Sequence, residues 1–185
     1  MVQNTYRVEE HMPSHDIYLV GAFAQTCAHI EHTLWIYCVN NRLSSSSTED
    51  DVLKELDVRT QTQKLVVALT EIQQSLPDDG EQRLLAEINA RIGAGRHGRN
   101  LIIHGALSKE PGTDQLRLHH HWKMKGEKRV FEWFNEPLAP GALEQAIGSA
   151  DELLGMVHEL FALGKARWEG VPDGGSAAAP EGNIP

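Results

Sequence analysis

The sequence predicts a mainly α-helical bundle with a small antiparallel β-meander inserted between the third and the last long helix. Three observations predict it. Long stretches repeat apolar residues every three to four positions, most clearly Leu143, Ile147, Ala150, Leu153, Leu154, Val157, Leu160, Phe161 and Trp168. Between about residues 106 and 134 the period shifts to two, with Leu116, Leu118, His120 and Trp122 alternating with Arg117, His119, His121 and Lys123. The 185 residues, 41% of them hydrophobic, are enough for one domain with a core, and no internal repeat divides them.

Residues 1–13 read as a loose lead-in. The first helix begins at Ser14 or Asp16, either of which suits an N-cap, and runs to Asn40. Asn41, Arg42, Leu43 and four serines form a loop. Thr48 followed by Glu49, Asp50 and Asp51 reads as an N-cap with an acidic first turn. The second helix then carries Val52, Leu53 and Leu56, bends near Asp57, and continues through Leu65, Leu69, Ile72 and Leu76 until "LPDDG" at 76–80 stops it. A third helix runs from about Glu81 towards Gly105 through Leu84, Leu85, Ile88 and Ile92. In the meander, a short strand near 106–109 is joined by "EPGTD" to the strand at 116–122. "KMKGEKR" is a turn, and "VFEWF" at 130–134 is the returning strand. The domain therefore spans 14–168, and the Gly/Pro/Ala/Ser-rich tail at 170–185 is expected to be disordered.

Composition narrows the function. No run of 18 apolar residues exists, and the N-terminus lacks the basic-then-apolar layout of a signal peptide. No membrane association is expected. Cys27 and Cys38, if on one helix, lie about 16 Å apart along its axis, too far for a disulfide with each other. They read as small buried hydrophobes in a reducing compartment, the cytoplasm. The net charge of −9 speaks against a protein that coats nucleic acid, yet the charge is uneven. Residues 91–130 hold nine Lys/Arg against three Asp/Glu, a net of +6, with five of the ten histidines; the rest holds eight against twenty-three, a net of −15. That asymmetry fits an anion-binding face on an acidic body.

The stretch "GAGRHGRNLIIHG" at 93–105 supports two incompatible readings. Gly93, Gly95 and Gly98 spell G-x-G-x-x-G, but a dinucleotide site needs a buried strand before the glycines and an acidic residue about 20 positions on. Here an amphipathic helix precedes them, and G-K-[ST] is absent too. The glycines are instead expected to let a neighbouring helix pack closely, at about 1 kcal/mol each in helix propensity. Arg99, Asn100 and His104 spell R-N-x-x-x-H. At about 100° per residue, Arg99 falls in the middle of the apolar stripe of the third helix, with Asn100 and His104 together beside it. On the first helix, Glu31 falls inside an apolar arc that holds Val20, Ala24, Ala28, Leu34, Trp35 and Cys38. An arginine aimed at a core keeps its proton and needs an anion, and a buried glutamate needs a cation. A Glu31–Arg99 pair between helices one and three resolves both.

The R-N-x-x-x-H motif near the end of the third helix, followed by Gly105, a β-excursion and a long last helix, resembles the HEPN domain family over roughly residues 14–168. The resemblance implies an up-and-down bundle of four to five helices, a homodimer, and metal-independent endoribonuclease activity at a composite cleft between two copies of the motif. It implies Arg99 and His104 as the catalytic pair, Asn100 as their polar companion, and Glu31 as an acidic helper. It implies no cofactor. Members silenced by nucleotide transfer carry a tyrosine two residues after the histidine; Ala106 stands there, so that control is not supported. Many members are non-catalytic scaffolds.

Two functions follow as expectations. The first is a cytoplasmic ribonuclease of toxin or defence type, cutting RNA through its 2′-hydroxyl to a 2′,3′-cyclic phosphate, with a cognate antitoxin or other protein partner. The second is a non-catalytic helical dimer that binds a partner or a nucleotide. For RNA, Arg96, Arg117, Lys123, Lys125, Lys128 and Arg129 are candidate backbone contacts, and Trp122, Phe131 and Trp133 either stack on bases or, the favoured reading, pack against the bundle. In a strand His119 and His121 share a face that His120 opposes, which falls short of a zinc site without a further ligand. His29 and His32 read as exposed.

Overall fold

The computed structural model describes residues 7–43, 62–113, 115–121, 123–125, 128–130 and 133–170, without the side chains of 62, 63, 123–125, 128 and 129. Four helices carry the fold: α1 (Ser14–Leu43), α2 (Thr62–Ser75), α3 (Asp79–His104) and α4 (Ala142–Glu169). Between α3 and α4 lie β1 (Ala106–Lys109), β2 (Leu116–His120), β3 (Lys123–Lys125), β4 (Lys128–Val130) and β5 (Phe134–Pro137). The chain is thus mainly helical, with a three-stranded antiparallel sheet between its third and fourth helices. The expected helix start at Thr48, with Val52, Leu53 and Leu56, and the tail beyond residue 170 lie outside the described residues. Within the expected lead-in, Arg7–Glu10 form a 3-10 turn, Met12 is buried, and the His11 carbonyl accepts from the Lys109 amide at 2.7 Å, tying this segment to β1.

Side-chain contacts set the helix directions. Glu31 meets Arg99 and Tyr37 meets Glu81, so α1 and α3 are antiparallel. Arg91 meets Glu152 and Arg167 meets Glu81, so α4 opposes α3 and runs with α1. From α2 onward the helices alternate. Asp78 caps α3, its carboxylate accepting from the Glu81 amide at 2.7 Å. The main core joins Ile30, Leu34 and Tyr37 of α1, Leu65 and Leu69 of α2, Leu85 and Ile88 of α3, and Val157 and Leu160 of α4. A smaller cluster holds Phe23, Cys27 and Ala150. The buried residues of α1 are Leu19, Phe23, Cys27, Ile30, Leu34, Tyr37, Cys38 and Val39. Their centre lies about 70° round the helix from the arc read in the sequence. Ala28, placed in that arc, is exposed. Because α1 is contacted by all three other helices, it has no single apolar stripe to read, and Glu31 comes to lie at the edge of its buried face.

Two close approaches need glycine. At the end of α3, the Gly105 amide donates to the Leu101 carbonyl at 2.8 Å, and a Cβ there would lie 2.5 Å from Leu118 Cδ1 and against the Leu101 oxygen. Where α1 meets α4, a Cβ on Gly164 would lie 2.8 Å from the Tyr37 ring.

The sheet corrects one strand. β2 pairs with β1 (Leu118 opposite Leu107) and with β5 (His120 opposite Phe134), giving the order β1-β2-β5. The returning strand is therefore Phe134–Pro137 rather than 130–134. "KMKGEKR" is not a simple turn, because β3 and β4 form a separate hairpin there, Lys123 opposite Val130. The apolar run favoured "VFEWF", but the ladder is completed by a partly polar segment, Phe134, Asn135, Glu136 and Pro137, at the sheet's edge, where backbone bonds and one stacked ring suffice.

A polar knot lies at the opposite end of α3 from the R-N-x-x-x-H motif. Glu81, 2% exposed, accepts from Tyr37 Oη at 2.7 Å and from Arg167 Nε and Nη2 at 3.1 and 3.0 Å. Arg167 Nη2 also donates to Asn41 Oδ1 at 2.6 Å. Burial, and then the hydrogen bond it donates to the Glu81 carboxylate, push the Tyr37 phenol well above its ordinary range. Burial alone pulls the Arg167 guanidinium down, but the Glu81 bonds outweigh it and hold the group up.

Candidate functional site

The last two turns of α3 carry the R-N-x-x-x-H residues. Arg99 Nη2 lies 2.8 Å from Glu31 Oε1 of α1, and Arg99 Nη1 donates to Asn100 Oδ1 at 3.2 Å. The side chains of Arg99 and Glu31 are 24% and 35% exposed, so the pair sits at the rim of the bundle with water on one side. Cys27, one turn before Glu31, is buried beside them. Burial pushes its thiol up, and the Arg99 guanidinium draws it partly back. The pairing expected of two misplaced charges is present.

His104 stands apart from this group. It is the last residue of α3, exposed, and makes no hydrogen bond or ion pair with a described residue. Five positions on a helix turn the chain by about 500°, which leaves Arg99 and His104 about 140° apart around the axis. One protomer thus presents the guanidinium and the imidazole on different sides of one rod. Among the described residues, no group of three or more His, Cys, Asp and Glu is arranged to take a metal.

Beside Arg99, residues of all four helices line a groove of about 480 Å³. Ile30 of α1, Leu65 of α2, Ile92 and Ile102 of α3 and Leu153 of α4 are among its apolar lining, and Arg91, Arg96, Arg99 and Glu31 are its charged residues. Gly95 and Gly98 of α3 border it as well. Here the structure corrects the sequence reading. A Cβ built on Gly93, Gly95 or Gly98 meets nothing within 4 Å, so none of the described helices packs on them. The groove was not legible, because it forms between four helices, a property of none of them singly.

The other candidates divide. Arg96 is exposed and makes no hydrogen bond or ion pair with a described residue. Arg117 is engaged within the sheet, donating from Nε to Asn135 Oδ1 at 2.6 Å and lying 3.6 Å from Glu110. The side chains of Lys123, Lys125, Lys128 and Arg129, with Trp122 and Phe131, lie outside the described residues. Trp133, expected to pack against the bundle, is instead 72% exposed, its ring tilted against that of His119 with centres 6.1 Å apart. His119 Nε2 hydrogen-bonds Ser108 Oγ at 2.7 Å, while His120 is buried, stacked on Phe134 at 4.9 Å with Nε2 3.7 Å from Glu136. His121 is exposed, as are His29 and His32.

Comparison with models of known protein families, with curated proteins and with solved structures finds no match. No helix among the described residues is long and apolar enough to cross a membrane.

Proposed function

We propose that this chain is a metal-independent endoribonuclease of toxin or defence type that works in the cytoplasm as a homodimer, the resemblance to the HEPN family being one support. The observation that carries the reading is the end of α3. Arg99, oriented by Glu31 and Asn100, and His104, exposed and uncommitted among the described residues, stand within the last two turns of α3 on different sides of the helix. A second copy facing this end brings two arginines and two histidines to one crevice, which answers the angular separation of the two side chains within a protomer.

In such a crevice, His104 takes the proton from an RNA 2′-hydroxyl. The freed oxygen attacks the adjacent phosphorus, and the partner subunit's His104 delivers a proton to the departing 5′-oxygen, leaving a 2′,3′-cyclic phosphate. Arg99 holds the phosphate and neutralises its developing charge. No metal enters, and DNA, without the 2′-hydroxyl, survives.

One observation favours the non-catalytic reading, a helical dimer that binds a partner or nucleotide: Arg99 already has an anion, Glu31, at 2.8 Å. Purified protein with single-stranded RNA in EDTA, beside His104→Ala and Arg99→Ala, decides between them. Cleavage by the wild type and by neither variant supports the nuclease. Intact RNA over a broad panel of sequences refutes it.

A further inference from the structure

The core stripe of α3 has one bare position. It runs Leu85, Ile88, Ile92, Gly95, Arg99 and Ile102, spaced alternately by three and four residues, the repeat that keeps one side of a helix towards its neighbours. All of these are buried or half-buried except Gly95, which is exposed. The repeat aims position 95 at the bundle, yet a Cβ built there meets nothing within 4 Å. The groove of about 480 Å³ lies at this gap, within the size range of ligand sites. One larger side chain in the stripe would fill part of it, so the chain forgoes packing that a single substitution could supply. Apolar walls around such a gap receive apolar molecules.

Of the charged residues that border the groove, three are already answered. Arg99 lies 2.8 Å from Glu31, and Arg91 lies 3.0 Å from Glu87 and 3.4 Å from Glu152. Arg96 is exposed and makes no hydrogen bond or ion pair with a described residue. The groove thus offers a mostly aliphatic lining and one uncompensated positive charge. We propose that it binds a free fatty acid, with the unbranched chain against the aliphatic lining and the carboxylate on Arg96. Charge and polarity select this occupant. A nucleotide brings several negative charges, and base edges that aliphatic side chains leave without hydrogen-bond partners. A peptide strand brings the same fault in its backbone amides. An uncharged chain leaves Arg96 unanswered, whereas a carboxylate matches the guanidinium fork with two parallel hydrogen bonds. The inference goes beyond the ribonuclease reading and does not depend on it.

The test is isothermal titration calorimetry of the full chain with decanoate, below its micellar concentration. We expect one decanoate per chain, and decanol bound about tenfold more weakly for want of the charged head. Arg96→Gln should bring decanoate down to the level of decanol. Gly95→Leu, which occupies the gap, should weaken decanoate binding about tenfold or more and raise the urea midpoint, because a helical glycine gives way to a packed leucine. Gly93→Leu, on the same helix but not bordering the groove, should leave binding unchanged. Five results each overturn the proposal. They are no binding by the wild type, decanol bound as tightly as decanoate, equal binding by Gly95→Leu and Gly93→Leu, a lower urea midpoint in Gly95→Leu, or loss of a dimer in Gly95→Leu by light scattering. The fourth would show that no gap awaits a side chain there, and the fifth would make the groove a surface between copies. Co-sedimentation with vesicles of phosphatidylcholine and phosphatidylserine separates a membrane from a free acid. Vesicle binding that Gly95→Leu abolishes, with no binding of decanoate, would assign the groove to a lipid surface and overturn the proposal as well. The cleavage assay in EDTA reads separately: a chain that binds decanoate and cuts no RNA keeps this site and loses the nuclease, and one that cuts RNA but ignores decanoate does the reverse.

Discussion

Replacing Glu31 by Gln tests whether Arg99 belongs to an anion site. In the native chain the carboxylate lies 2.8 Å from the guanidinium, both side chains partly open to water. Exposed pairs of this kind contribute about 0–1 kcal/mol to stability, so Glu31→Gln should shift the urea midpoint little. Its effect on an incoming anion is larger. A phosphate seated on Arg99 would stand about 5 Å from the Glu31 carboxylate, and two like charges at that distance repel by about 1.7 kcal/mol at an effective dielectric of about 40, between a protein surface and water. Removing the negative charge should thus tighten RNA binding somewhat more than tenfold. The Gln side-chain carbonyl still accepts a hydrogen bond and keeps the fork in place. The gain should shrink towards nothing at 0.5 M salt, where the Debye length falls to about 4 Å. Fluorescence anisotropy with a labelled, fully 2′-O-methylated RNA hexamer, which cannot be cleaved by 2′-oxygen attack, reads both effects at low and high salt. Unchanged or weaker binding at low salt, with the fold intact, would show that no phosphate reaches Arg99. A stability loss above about 2 kcal/mol would instead make the pair a strut of the bundle.

Three further predictions concern what holds the site in place. Gly105→Ala forces a methyl against the Leu101 oxygen and Leu118, and should cost about 1–3 kcal/mol in urea unfolding; a neutral result would refute the close approach of β2 to the end of α3. Glu81→Gln leaves Arg167 without its anion. Breaking a buried pair costs about 3–5 kcal/mol. Arg167 is 24% exposed, so about 2 kcal/mol is expected, and Arg167→Met in the Glu81→Gln background should recover part of it. Burial pushes the Cys38 thiol up from 9.0 to about 12, Arg42 partly opposing. The unfolded chain therefore releases this proton at lower pH than the folded one. The contribution of Cys38 is complete below about pH 9 and is lost as pH rises towards 12, at about 1 kcal/mol per pH unit. Cys38→Ala should flatten the fall of the urea midpoint between pH 9 and 11, and an unaltered slope would refute the assignment.

How much of this was legible in the sequence depended on whether a residue was out of place where it stood. Glu31 and Arg99 each sat in an apolar arc, and two opposite misfits called for one another, so their pairing could be read even though the arc drawn on α1 was displaced from the true buried face. Glu81 and Arg167 form a more deeply buried pair, yet nothing pointed to it. An acid in the first turn of α3 and a base in the last turn of α4 are where helix dipoles and water both welcome them, so each had a sufficient local reason. Only the lengths and opposed directions of the two helices bring them together beneath Tyr37. The same rule explains the glycines at 93, 95 and 98. Three poor helix formers within six positions suggested a packed neighbour, but positions open to solvent also tolerate them, and sequence alone does not separate a covered position from an open one. Gly93 falls about 160° round α3 from Gly95 and about 140° from Gly98, so no single covering surface could account for all three; Gly95 and Gly98 border the groove and Gly93 does not, and only the assembled bundle distinguishes them.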